Sequence, residues 1–170
     1  MSEEISIIER PRQHSLCITE TVGTMKLGKI MGPAYHEILN LITKQGLSCT
    51  EKDVPFTQYN HLDWDRVNQT GFFAMVYLLF FHKWNIDMGI PCPESAQGEG
   101  RIKKLYVEEG KYVRMIHTGP YQKVGDTYKK IIEYAKKENL QLKNHSLEFY
   151  LNDPRNTPES ELKTEVLVPV

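Results

Sequence analysis

The spacing of apolar and polar positions divides the chain into short strands and two helices. Segment 5–22 reads as two strands broken at Pro11, "ISIIER" and then "HSLCITETV". From about Gly32 to Lys44 the period lengthens. Tyr35, Ile38, Leu39 and Ile42 form one apolar stripe, and Gly46 is a natural helix stop. A strand follows near 55–60 in "VPFTQYNHL", and another in "WNIDMGIPC" (84–92), where Ile86, Met88 and Ile90 share a face. The turn formers of "PESAQGEG" (93–100) read as a linker. "RIKKLYV" and "KYVRMIHTG" flank Glu108-Glu109-Gly110, which predicts a hairpin. A second helix spans about Gly125 to Lys137, with Val124, Tyr128, Ile131, Ile132 and Ala135 at helical spacing. In "HSLEFYLNDPRNTP" (145–158) Leu147, Phe149 and Leu151 alternate with Ser146, Glu148 and Tyr150, the mark of a half-buried strand. A loop over 152–161 and a last strand, "LKTEVLVPV", complete the chain.

These elements repeat. "GPAYHEILNLITKQGL" (32–47) aligns with "GDTYKKIIEYAKKENL" (125–140), "FTQY" (56–59) with "LEFY" (147–150), and "DMGIP" (87–91) with "EVLVP" (165–169). The predicted fold is therefore α+β. Two strand-strand-helix-strand-strand modules, 1–92 and 101–170, build one antiparallel sheet about a pseudo-two-fold axis. Helices cover one face of the sheet. Leu147 and Phe149 are expected beneath them, and Glu148 and Tyr150 on the opposite face, lining a cleft between the modules. The repeat places Thr57 and Tyr59 at the matching positions of the first module, so Thr57, Tyr59, Glu148 and Tyr150 are the first candidate ligand-binding residues.

One segment has no counterpart in the second module. Residues 61–83, around "DWDRVNQTGFFAMVYLLFFHK", place Phe72, Met75, Val76, Leu79 and Phe80 at helical spacing and Phe73, Tyr77 and Phe81 on another side. A helix apolar on most sides must be buried or covered. It is expected as a lid on the cleft or as a dimer interface.

Composition narrows the function. A net charge of −1 with 25% charged residues gives no basic footprint for nucleic acid. Cys17, Cys49 and Cys92 are odd in number and far apart, which fits free thiols in a reducing cytoplasm. The acidic start "MSEEIS" does not read as a signal peptide, and the apolar run "GFFAMVYLLFF" (71–81) is too short to span a bilayer.

Glu148 carries the chemistry. A carboxylate walled by aromatic rings offers a cation one formal charge and several π faces. Partial burial raises its pKa and leaves it able to act as a base. The alternative is a solvated carboxylate on an exposed sheet face. His117-Thr118-Gly119-Pro120-Tyr121 reads as a strand-to-helix turn that brings Tyr121 to the cleft, with His117 structural. His61, Asp63 and Asp65 in "NHLDWD" lack a completing ligand, so no metal is expected, and no phosphate loop or nucleophile elbow is present to suggest a cofactor.

The segments "SLEFYLNDPRNTPESELKTEVLVPV", "GKYVRMIHTGPYQKVGDTYKKIIEYAKKENL" and "WNIDMGIPCP" resemble GyrI-like proteins, the effector-binding domains also fused to multidrug-sensing bacterial transcription activators. The resemblance is strong over 84–170 and looser over 1–60. It implies a small-molecule cleft between two modules with an acidic residue at the position of Glu148. Some relatives resemble hydrolases of strained electrophiles that use a glutamate with aromatic partners, and the founding relative interacts with DNA gyrase. Most relatives join their "FTQY"-type and "DMGIP"-type strands by a short link, so the insert departs from the family pattern. The expected partner is a small hydrophobic or cationic molecule, without direct nucleic-acid binding. The alternatives are hydrolysis of an electrophile with Glu148 catalytic, or a protein-interaction module.

Overall fold

The computed structural model describes residues 4–50, 53–68 and 72–170 of the chain. Its strands are β1 (Ser6–Arg10), β2 (Gln13–Gly23), β3 (Phe56–Asn60), β4 (Lys83–Pro91), β5 (Ile102–Val107), β6 (Gly110–Thr118), β7 (Ser146–Tyr150) and β8 (Lys163–Pro169). The helices are α1 (Leu27–Lys44), α2 (Trp64–Val67), α3 (Phe72–Phe80) and α4 (Val124–Lys137). All strands join one antiparallel sheet in the order β1-β6-β8-β7-β3-β4-β2-β5. The fold is α+β, as the pattern predicts. The order is also symmetric about the β7–β3 pair. Each edge strand, β1 or β5, lies beside the second strand of the other half.

This exchange overturns the expected hairpin. Gly110 takes φ 147, a conformation that favours glycine, so Glu108-Glu109-Gly110 does mark a turn. Yet β5 pairs with β2, while β6 pairs with β1 and β8. Turn chemistry says where the chain bends, not which neighbour a strand takes. With β1 and β8 on its two sides, β6 has no edge left for β5.

α1 also begins earlier than Gly32, at Leu27 after a 3-10 turn over Thr24–Lys26. Burial of Leu27, Ile30 and Met31 against the core outweighs the poor helix propensity of Gly28, Gly32 and Pro33.

α1 packs on β2 and β4, and α4 on β6 and β8, all on one face. Under α1, Ile38 and Ile42 meet Leu16, Ile18, Ile86, Met88 and Ile90. Under α4, Tyr128 and Ile131 meet Val113, Met115, Val166 and Val168. The central pair β3–β7 is left facing the gap between the helices. On the other face the sheet curls on itself. Cys17, Phe56, Leu147, Phe149 and Leu167 are covered there by Val107, Tyr112, Leu105 and Ile8. β7 is therefore buried on both faces.

Within the insert, α2 and α3 form a strap between β3 and β4. Residues 69–71 and the side chains of Phe72, Phe73 and Met75 lie outside the described residues.

Candidate functional site

The side chains of β7 point the opposite way from the expectation. Leu147 and Phe149 fill the core inside the curl, and Glu148 and Tyr150 lie on the helix face, in the gap between α1 and α4. Alternation sorts residues onto two faces but does not label them. Because the curl supplies a second apolar core, Leu147 and Phe149 are buried without a helix above them.

The gap holds a continuous hydrogen-bonded network. Glu148 is 6% exposed. Its Oε1 accepts from the Tyr128 hydroxyl at 2.9 Å, and that hydroxyl accepts in turn from Ser146 Oγ at 2.8 Å. The Tyr150 hydroxyl lies 3.4 Å from Glu148 Oε2 and 3.1 Å from Thr57 Oγ1, donating to one or the other. Tyr59 is hydrogen-bonded to Tyr150. On the α1 side, the Tyr35 hydroxyl donates to the Phe56 carbonyl at 3.0 Å, so Thr57 Oγ1 donates to Tyr35 at 2.7 Å. Tyr121 sets its ring edge-on to Tyr150, with centroids 5.5 Å apart.

Thr57, Tyr59, Tyr121, Glu148 and Tyr150 are thus brought together. Sequence reasoning missed Tyr35, Tyr128 and Ser146. The two tyrosines sit in the apolar stripes of α1 and α4 and read as core. Their rings are core, and only their hydroxyls reach the site. The detectable signal was their coincidence in the internal repeat, each three residues after a glycine.

The electrostatics follow from burial. Desolvation raises the Glu148 carboxyl to about 7, with the hydrogen bonds from Tyr128 and Tyr150 opposing the rise. No basic side chain contributes to its titration among the described residues. Burial, then Glu148 itself, pushes the Tyr128 phenol well above its ordinary range. Burial raises Tyr35, Tyr59 and Tyr150 as well, so all four remain donors. At neutral pH the site holds a carboxyl poised between its two forms inside a shell of phenols.

The remaining candidates have structural roles. His117 Nε2–H donates to the Pro120 carbonyl at 3.0 Å, and Nδ1 lies 3.0 Å from Thr127 Oγ1, which fixes the turn that presents Tyr121. Asp63 caps α2 by accepting from the Asp65 and Arg66 amides. No cluster of metal-ligating side chains occurs among the described residues. Nor is any helix among them long and apolar enough to cross a membrane.

A domain of duplicated α+β modules with an acidic, tyrosine-lined gap is the small-molecule-binding architecture that the sequence resemblance implies. The chain belongs to the GyrI-like family: the family model described as the GyrI-like small molecule binding domain matches residues 3–170. Among solved structures, the EcmrR C-terminal domain is similar at 19% identity and a TM-score of 0.78, over 99% of this chain and 98% of that one. In the EcmrR–DNA complex the match has 19% identity and a TM-score of 0.75 and covers 98% of this chain, which spans 56% of the length of EcmrR. SAV2435 bound to tetraphenylphosphonium matches at 14% identity and a TM-score of 0.64, over 98% of this chain and 93% of that one. These identities establish a shared fold. No functionally curated protein matches the sequence.

Proposed function

We propose that this chain binds lipophilic organic cations in the gap between α1 and α4, with Glu148 as the counter-charge and tyrosine rings as the walls. The observation that carries this reading is a carboxyl that is 6% exposed, ringed by Tyr35, Tyr59, Tyr121, Tyr128 and Tyr150, and without a basic partner among the described residues. A buried carboxylate with no cation is costly to ionise. A cation delocalised over aromatic groups is weakly hydrated, so it gives up little on entry and gains both the charge and the π faces. The tetraphenylphosphonium held by SAV2435 is a ligand of this class.

Phenol hydroxyls engage the Glu148 carboxyl, so binding exchanges hydroxyl contacts for ring contacts. Glu148 is ionised only above its pKa of about 7. Cation affinity should therefore rise with pH through neutrality.

Calorimetry with tetraphenylphosphonium and the matched anion tetraphenylborate tests the proposal. The cation should bind and the anion should not. Glu148→Gln keeps the shape and should weaken cation binding by about 1–3 kcal/mol. Equal affinities of wild type and variant would remove the charge argument. A second reading, hydrolysis of an electrophilic small molecule, is favoured by one observation: a carboxyl titrating near 7 suits a general base. Product formation from such a compound that is lost in Glu148→Gln would assign that role to Glu148.

A further inference from the structure

Three short segments meet at an apolar corner of the surface. β2 ends at Gly23, which pairs in register with Lys83 at the start of β4. One residue on, the Thr24 hydroxyl donates to the Leu78 carbonyl of α3 at 2.5 Å. The 3-10 turn Thr24–Lys26 and the C-terminal end of α3 are thereby held side by side. Their apolar side chains face water. Met25, Phe80 and Phe81 are 65%, 65% and 70% exposed, and Tyr77, stacked on Phe81, is exposed as well. α3 itself, Phe72–Phe80, carries no charged residue. A soluble chain seldom leaves such side chains together in water.

Cations frame this corner. Lys26 follows Met25, Lys83 lies two residues after Phe81, and Lys29 stands in the first turn of α1. All three are exposed, and none has an ion-pair partner among the described residues. The nearby acids are occupied or stand elsewhere. Glu20 of β2 pairs with Arg101 at 3.1 Å, and Asp87 of β4 accepts from Thr19 and Asn60. Asp63 and Asp65 belong to α2 and its cap, and α2 packs on α4 at the other end of the strap. A chain of net charge −1 thus presents three unpaired positive charges beside its exposed phenylalanines.

We propose that this corner docks the chain on an anionic lipid surface, with Met25, Phe80 and Phe81 in the boundary between headgroups and acyl chains and the lysines on the lipid phosphates. Aromatic rings and lysines are suited to that boundary, because the ring is buried while the ammonium reaches outward to the headgroups. The charge decides against a second copy as the occupant. A two-fold contact through this corner would set the same lysines against each other, whereas anionic headgroups neutralise them. At nine residues α3 lies in the plane of the surface and does not span it. Rings also lead inward from the docked face. Tyr77 lies 6.2 Å from His82, His82 lies 4.3 Å from Trp84, and Trp84 lies 5.6 Å from Tyr59. One consequence rests on the function proposed above: docking brings the Tyr59 end of the gap to the surface at which lipophilic cations concentrate.

The test is co-sedimentation of the full chain, without any cation ligand, with vesicles of two parts phosphatidylcholine to one part phosphatidylglycerol, and with vesicles of phosphatidylcholine alone. The chain should bind the anionic vesicles, bind the neutral ones far more weakly, and leave the anionic ones at high salt. Phe80→Ser with Phe81→Ser should cut partitioning roughly tenfold. Lys26→Gln with Lys83→Gln should do the same or more, and being confined to exposed side chains should leave the fold intact. Glu148→Gln should dock as the wild type does, and both surface variants should keep the wild-type affinity for tetraphenylphosphonium, so docking and cation binding fail separately. No binding to anionic vesicles, equal binding to neutral ones, or unchanged partitioning in either folded surface variant would each overturn the proposal. So would a dimer in solution that Phe80→Ser with Phe81→Ser dissociates, since the occupant would then be a second copy.

Discussion

Tyr35 on α1 and Tyr128 on α4 occupy corresponding places in the two halves, and each hydrogen-bonds a side chain on the nearer central strand. For Tyr35 that partner is Thr57, and for Tyr128 it is Glu148. The two partners are themselves paired across the β3–β7 register. A near-symmetric frame thus meets at one position where the halves differ by a charge. Two threonines would leave the gap without a counter-ion. Two carboxylates so close would not both ionise, because each would raise the pKa of the other. A single carboxylate between two tyrosines leaves one buried acidic group per chain, walled from both sides.

Making the halves alike by removing the charge should have the largest effect. Glu148 titrates near 7 in the folded chain against an ordinary value of 4.5. A carboxyl raised by folding contributes stability that is fully present below 4.5 and lost as pH rises through 7. Over that window the wild type should lose on the order of 3 kcal/mol relative to Glu148→Gln. Denaturant unfolding at about pH 4 and about pH 8 measures the difference. The uncharged variant should be the more stable protein in alkali. An equal offset at both pH values would mean that Glu148 is not held in a desolvated site.

The paired tyrosines sharpen the comparison. The Tyr128 bond favours the ionised form of Glu148, so Tyr128→Phe should move the pH midpoint of tetraphenylphosphonium binding upward. Tyr35→Phe removes a bond to an uncharged partner. It should cost about 1 kcal/mol of stability and leave the midpoint in place. Calorimetry across the pH range, run on both variants, reads the contrast. Identical midpoints would show that Tyr128 does not tune Glu148.

Much of this arrangement is legible in the chain. Alternation over 146–150 pairs Glu148 with Tyr150, and the internal repeat adds Thr57 and Tyr59. What period two cannot carry is the identity of a face. β7 is buried from Ser146 to Phe149, so both sides look like core, and only the tertiary curl decides which side the helices take. The hairpin failed for a related reason. The residues at 108–110 encode a turn, but the exchange of β1 and β5 between halves is a property of the whole sheet. Tyr35 and Tyr128 show a third limit. A phenol serves a core and a site at once, and helical spacing reports only the core.

The smallest expected effect concerns the strap, which joins the two halves at the Tyr59 end of the gap. On the α4 side Trp64 lies over Tyr128 at 6.1 Å and donates its Nε1–H to the Lys143 carbonyl at 2.8 Å. On the α1 side Thr24 Oγ1 donates to the Leu78 carbonyl at 2.5 Å and accepts from Trp84 Nε1 at 2.8 Å, while Trp84 sets its ring edge-on to Tyr59. If these ties hold a lid over the gap, they should set rates more than affinities. Thr24→Ala cuts the α1-side tie and leaves the hydrogen bonds to Glu148 in place. It should speed both association and release of tetraphenylphosphonium severalfold and leave the equilibrium affinity within about twofold. The chain has two tryptophans, Trp64 and Trp84, one at each tie, so stopped-flow tryptophan fluorescence follows the strap directly. The exposed side chains of α3 test the interface reading of the same segment. Leu79 and Phe80 are 38% and 65% exposed, and replacing both with serine should leave the mass in solution unchanged if the strap is a lid. Unchanged rates in Thr24→Ala together with a lower mass in the serine variant would make the strap a contact between chains instead.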